Sequence, residues 1–309
     1  MGTSKLSGAS AARDTVLAVR LADRTAIVVR GKDRISWLNG LITCDLAKLG
    51  PADGAYGLLV EKKGRIQTDL FVVPSRGGSD GGALALALPR DLRDATLATL
   101  DHYLIMEDAE LEPVELELWH LHGPAARGAA DALAAPFSGE LDLLGSGGVL
   151  VGVPEADAEE LRGRLASVVA DLGGCFGDDA TWDSLRIEKG LPRFGVEVDA
   201  TLYPQEASLE KLAVSFDKGC YLGQEVVYML ENRGHVKRKL VALDIDGDAA
   251  LASGAPVTTP DGVAVGDVKS SVVGPTSGKP VAIAMVKWAH AKPGTELRAG
   301  ERVARVRAG

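Results

Sequence analysis

Cys220 is the residue whose type and setting most plainly offer reactivity. It stands in Lys218-Gly219-Cys220-Tyr221-Leu222-Gly223-Gln224-Glu225, just before a stretch, Gly223 to Asn232, in which Val226, Val227 and Leu230 share one helical face. A thiol ahead of a helix N-terminus feels the positive end of the macrodipole, and Lys218 adds a nearby cation. Both favour the thiolate, the nucleophilic form. Gly219 and Gly223 carry no Cβ, which leaves room for backbone or ligand to come close. On these residues alone, a small buried hydrophobe in a glycine-rich turn is the better fit for Cys220, as free cysteines commonly are. Cys44 and Cys175 lack such surroundings and read as structural.

A second candidate is the basic cluster Arg233, Lys237 and Arg238, at the end of the cysteine helix. Cations there suit the helix dipole and could hold a small anion, or they form a solvated basic edge. Metal chemistry is not indicated: three cysteines lie far apart, five histidines are scattered, and no CxxC or Cys/His run occurs. Reduced thiols in a cytosol fit this cysteine usage. The formal charge of −9, from 34 Lys plus Arg against 43 Asp plus Glu, repels a phosphate backbone and excludes a sequence-independent nucleic-acid binder. No apolar run approaches the ~20 residues that span a bilayer, and the N-terminus has no apolar signal segment. The expectation is a soluble, cytoplasmic monomer with no coiled-coil seam.

These residues need elements to place them. Ala26 to Val29 reads as a strand entering Gly31; Asp33 is placed to cap a helix carrying Ile35, Leu38 and Leu41. Ala55 to Val60 and Arg65 to Val73 read as a hairpin turning over Glu61-Lys62-Lys63-Gly64, with Gly64 where positive φ is required. The glycine-rich loop Ser75 to Gly82 precedes a strand at Ala83 to Leu88. Asp91 to Leu104 has helical periodicity, Val114 to Leu121 alternates like a half-buried strand, and helices are expected over Glu155 to Val169 and Asp179 to Lys189. The mixture lacks strict βαβα alternation, which argues for an α+β fold. From Lys239 onward, short strand-like runs are broken by Gly, Pro and Asp turns: Leu240 to Ile245, Pro256 to Thr259, Val263 to Val268, Pro280 to Val286 and Arg302 to Val306. That is the texture of a small β-barrel. The expected organisation is a disordered N-terminus (1–12), an α+β region of two subdomains (13–236) and a C-terminal barrel (237–309).

Lys218 to Glu225 resembles the K-G-C-Y-x-G-Q-E signature of the YgfZ-type folate-binding proteins, which serve iron–sulfur enzymes. Further blocks are similar to the same family: Gly31-Lys32-Asp33-Arg34 with Trp37-Leu38-Asn39-Gly40 and Thr43-Cys44-Asp45, then Lys63-Gly64-Arg65 with Thr68-Asp69-Leu70. Leu185 to Pro192 and Pro204-Gln205-Glu206 look like its central block, and Gly266 to Val286 and Ala289 to Leu297 like the barrel shared with the glycine-cleavage T-protein, an aminomethyltransferase. The resemblance runs from about Asp33 onward. It implies a three-domain cloverleaf, with two interleaved α/β subdomains and a small C-terminal barrel around a central folate cleft.

It also implies a ligand, tetrahydrofolate or a one-carbon derivative. A pterin edge carries N–H donors that a carboxylate accepts in a two-pronged manner. The resemblance puts Glu206 on that edge, Asp69 on the hairpin facing the ligand, and Arg233, Tyr221 and Gln224 on the ligand side, with Cys220 and Lys218 as the working pair. Trp37 and Tyr56 fit either an apolar pocket or simple core. In the T-protein the hairpin carries adjacent acids, whereas here Thr68 precedes Asp69. That departure removes a carboxylate suited to moving protons during aminomethyl transfer.

Three functions follow from the resemblance. The first is a folate-dependent factor for assembly or repair of iron–sulfur proteins, using Cys220, with iron–sulfur apoproteins or assembly factors as partners. The second is a one-carbon transferase or demethylase on tetrahydrofolate. The third is a non-enzymatic adaptor that docks iron–sulfur apoproteins and uses folate to order its cleft. A single cysteine is too few ligands for a protein-only cluster.

Overall fold

Runs rich in Val, Ile, Leu and Ala fold into two five-stranded sheets and one closed barrel. The computed structural model describes residues 7–76 and 82–308. Two compact units emerge: 1–60, 67–179 and 212–222 form the first, and 61–66, 180–211 and 223–309 the second.

The first unit opens with helix α1 (Gly8–Asp14), whose start is capped by Ser7 accepting from Ser10 N. Part of the 1–12 stretch expected to be disordered is therefore helical. Ser7 supplies the cap and Ala11 and Ala12 bury; residues 1–6 lie outside the described residues. Next come β1 (Leu17–Arg20), β2 (Arg24–Arg30), α2 (Arg34–Asn39), β3 (Ala55–Val60), β4 (Ile66–Pro74), β5 (Leu84–Pro89), α3 (Arg93–His102), β6 (Glu110–Val114) and β7 (Leu116–His122). The unit continues through α4 (Ala126–Leu133), β8 (Phe137–Glu140), β9 (Gly148–Pro154), α5 (Ala158–Asp171) and β10 (Cys175–Gly177).

One sheet runs β10-β1-β7-β9-β8, the other β3-β4-β5-β2-β6. Helices α4 and α5 bury Ala130, Leu133, Leu161 and Leu165 against the first, and α2 and α3 bury Leu38 and Leu100 in the core of the second. The sheets meet where Glu140 pairs with Asp53 and Phe137 with Ser75. Gly139 is required there: a Cβ on it would sit 2.9 Å from Pro74 Cδ and 3.0 Å from Gly54 Cα. Strand β7, expected to be half-buried, is buried at all seven positions: Trp119 and Leu121 pack with the α4 and α5 side chains on one face, and His120 on the other meets Phe71 of the second sheet. Asp33 stands at the start of α2, yet its carboxylate accepts from Asp108 N and not from the helix.

The second unit contains α6 (Asp179–Lys189) and α8 (Gln224–Asn232), with the one-turn α7 (Glu210–Ala213) at its edge. Its barrel is built from β11 (Arg238–Ile245), β12 (Pro256–Thr258), β13 (Ala264–Val273), β14 (Pro280–Lys287), β15 (Glu296–Ala299) and β16 (Arg302–Val306). These close in the order β11-β14-β13-β12-β15-β16 around Leu243, Val257, Val268, Ala282 and Leu297. The β3–β4 turn belongs to this unit. Its Gly64 has φ +79°, and a Cβ on it would come within 3.0 Å of Val226 Cβ on α8. A buried ion pair ties α6 to the loop after it: Arg186 donates to both oxygens of Glu197, at 3.0 and 2.9 Å, and Ser270 of β13 donates to the same carboxylate.

Candidate functional site

The cysteine segment is stitched to the backbone around α2. Ser215 N donates to Thr43 O, Thr43 Oγ1 to Ala213 O, and Leu222 N to Gly40 O. Lys218 Nζ donates to the carbonyls of Ile42, at 2.8 Å, and Cys44, at 2.6 Å. Between the anchors at 218 and 222, Gly219 and Cys220 are exposed. Cys220 is thus presented by a held loop and is not the buried hydrophobe its local sequence also allowed. Cys44 is buried and Cys175 half-buried; burial pushes the Cys44 thiol up to about 12.

Lys218 is arranged differently from the expectation that its charge serves Cys220. Its ammonium is taken up by two main-chain carbonyls, because a half-buried cation needs acceptors and the bend after α2 presents them. Burial lowers its pKa to about 8, against the opposing pull of Cys44 and Asp45. Tyr221 is buried, with Lys218 Nζ 5.4 Å from its ring centroid, and burial lifts its phenol to about 12. Helix α8 starts at Gln224, four residues beyond Cys220, after Gly223 at φ +75°. Helix α8 ends with Arg233 N–H donating to Met229 O.

Asp69, on β4, is 2% exposed. Its Oδ2 accepts from Arg24 Nη2 at 2.7 Å and from Tyr56 Oη at 3.1 Å. Among the described residues no donor reaches Oδ1. Arg24 itself donates to Ala87 O and lies over the Phe71 ring, 4.1 Å from the centroid. Burial first, and then the Asp69 charge, push the Tyr56 phenol well above its ordinary range, so Tyr56 remains a donor. Thr68 is buried, and its hydroxyl donates to the Asp69 carbonyl. Trp37 is core, its indole N–H donating to Tyr103 O.

Glu206, Gln224 and Arg233 lie in the second unit, whereas Lys218, Cys220, Tyr221 and Asp69 lie in the first. Glu206 is buried, its Oε2 accepting from Tyr203 N at 3.2 Å and its Oε1 facing Arg238 Nε at 3.4 Å. Arg238, of the basic cluster that fitted either an anion site or a solvated edge, is paired with Glu206. Neighbouring Gln205 donates to Val227 O of α8, and Glu210 pairs with Lys239 at 2.6 Å. Gln224 is half-buried and Arg233 exposed.

Sequence reasoning missed two features. Arg24 was invisible as a partner of Asp69; its only signal is a charge opening the apolar strand Arg24-Thr25-Ala26-Ile27-Val28-Val29. The other is a cavity of about 320 Å³ in the first unit, lined by Cys44, Asp45, Tyr56, Glu140, Asp142 and residues 212–215. Among the described residues no three His, Cys, Asp or Glu side chains group to hold a metal ion, and no helix is long and apolar enough to cross a membrane.

Residues 238–308, the barrel, match the glycine cleavage T-protein C-terminal barrel domain. Over 305 residues the chain is 30% identical to the mitochondrial aminomethyltransferase of Homo sapiens, covering 87% of this chain and 72% of that protein. It is 28% identical over 291 residues to the aminomethyltransferase of Herpetosiphon aurantiacus, covering 87% and 78%. The crystal structure of the glycine cleavage system aminomethyltransferase T from Bartonella henselae shares the fold, with a TM-score of 0.82 at 22% identity over 98% of this chain and 88% of that one. The chain belongs to the aminomethyltransferase, or glycine-cleavage T-protein, family.

Proposed function

We propose that the protein binds tetrahydrofolate, or a one-carbon derivative of it, and acts in the assembly or repair of iron–sulfur proteins with Cys220 as its working thiol. The observation that carries this reading is the exposed Cys220, held between the Lys218 and Leu222 anchors inside Lys218 to Glu225, the segment that resembles the YgfZ-type signature. Each unit by itself offers a buried carboxylate acceptor of the kind a reduced pterin's N–H groups need. Glu206 offers a buried carboxylate, and Asp69 keeps one buried acceptor that no described residue satisfies. Ligand N–H groups are the complement of such acceptors. Glu206, Asp69, Tyr221, Gln224 and Arg233 are the residues we assign to folate. Iron–sulfur apoproteins or assembly factors are the partners this role requires.

Deletion of the gene, followed by return of wild type or Cys220→Ala, tests the role. The reading expects wild type to restore iron–sulfur enzyme activities and Cys220→Ala to fall short. Equal restoration by both removes the thiol role.

Aminomethyl transfer to tetrahydrofolate is the second reading, favoured by the names of the relatives, which are aminomethyltransferases. Thr68, buried and bonded to the Asp69 carbonyl, weighs against it, since it stands where the T-protein hairpin has an acid. Methylene-tetrahydrofolate formed by the purified protein from an aminomethyl donor would reverse the order of the two.

A further inference from the structure

We infer that Arg24 and Tyr56 are positioning residues of the ligand site: they hold one oxygen of Asp69 so that the other accepts a single N–H from bound tetrahydrofolate. This rests on the folate reading above and specifies how one of its residues works.

The two oxygens of Asp69 are in unlike settings. Oδ2 has two donors, the Arg24 guanidinium at 2.7 Å and the Tyr56 hydroxyl at 3.1 Å. Oδ1 is buried with none among the described residues. A buried acceptor left unsatisfied is destabilising, and native structures leave few of them without a functional reason. A ligand N–H would satisfy Oδ1 while Arg24 and Tyr56 keep Oδ2.

The holding groups are themselves fixed. Arg24 has a second acceptor in Ala87 O at 3.2 Å and stacks on Phe71, whose ring is 5.1 Å from that of Tyr56. Tyr56 also lines the 320 Å³ cavity of this unit, placing the Asp69 anchor one side chain from open volume. A carboxylate with two donors on one oxygen is an oriented acceptor. Arg24 and Tyr56 therefore set the direction in which Oδ1 accepts.

The test is calorimetric titration of the full chain with tetrahydrofolate, using wild type, Arg24→Gln, Asp69→Asn, the double variant, Arg24→Lys and Tyr56→Phe, with the melting temperature of each. Asp69→Asn and Arg24→Gln are each expected to weaken Kd by about 10-fold or more, and the double variant by no more than about 3-fold beyond either. Arg24→Lys recovers part of the loss. A merely structural Arg24 would lower the melting temperature while leaving Kd within about 2-fold of wild type, or would multiply with Asp69→Asn; either result overturns the inference and leaves the folate reading intact. Should Arg24→Gln fail to fold, Tyr56→Phe, which loses only the hydroxyl donor, decides the matter through the same coupling to Asp69→Asn. Absence of any tetrahydrofolate binding by wild type overturns the folate reading and this inference with it.

Discussion

Lys218 Nζ lies 2.6 Å from the carbonyl oxygen of Cys44 and 2.8 Å from that of Ile42. The cation two residues before Cys220 thus works as an anchor for the loop that presents the thiol. Replacing it with Met removes two charge-assisted hydrogen bonds from a half-buried site, and a loss of about 1–3 kcal/mol is expected. Hydrogen exchange should quicken at 218–222 and 40–44 while β14 and β7 stay protected. Unchanged exchange around Cys220 would show that the anchor is dispensable.

The three thiols should separate by reactivity. Cys220 is exposed, Cys175 half-buried, and Cys44 buried with its pKa pushed up to about 12. A thiol-specific chromogenic reagent added to native protein is expected to label Cys220 at once and Cys175 more slowly, with Cys44 reacting only after denaturation. Early labelling of Cys44, read by peptide mass, would contradict the burial.

Acid should weaken the first unit before its carboxylates titrate. His120 and His122 are buried with ring centroids 4.0 Å apart. Burial drives His120 down to about 4 and His122 well below its ordinary value. The unfolded chain takes up these protons near pH 6.5 while the folded chain does not. Stability is therefore full above about pH 6.5 and falls as pH drops towards 4, by up to about 1.4 kcal/mol per pH unit for each histidine. Denaturant melts between pH 7 and 5 check this, and His122→Phe should flatten the slope.

The Arg186–Glu197 pair stabilises the second unit only while intact. Arg186→Met leaves Glu197 buried with Ser270 and Arg193 N as its donors. Loss of one partner of such a pair costs about 3–5 kcal/mol. A melting temperature within a degree or two of wild type would show that the pair is solvated or replaceable.

Local chemistry made much of the fold legible. Helix α6 spans Asp179–Lys189 as its periodicity requires, and the turn at Gly64 carries the positive φ its position called for. The barrel strands were readable from their turns. The exception was β15, Glu296–Ala299, too short and too charged to stand out, with only Leu297 and Ala299 facing inward. In β7, Glu117 and His120 alternate with leucines, a half-buried pattern, but partners absorb these polar groups. Glu117 accepts from Arg162 at 2.7 Å and from Trp119 at 2.9 Å, and His120 meets Leu141 O at 2.7 Å. The partners of Lys218 lie more than 170 positions away and those of Asp69 at Arg24 and Tyr56. No spacing rule reaches such contacts, so Lys218 and Asp69 could be singled out from the sequence while their partners could not.

Titration with tetrahydrofolate, comparing wild type with Glu206→Ala, tests the account at its centre. Saturable binding by wild type, weakened about 10-fold or more when the Glu206 carboxylate is removed, is the predicted result. No binding by wild type would contradict the folate assignment, and equal binding by both proteins would remove Glu206 from the site.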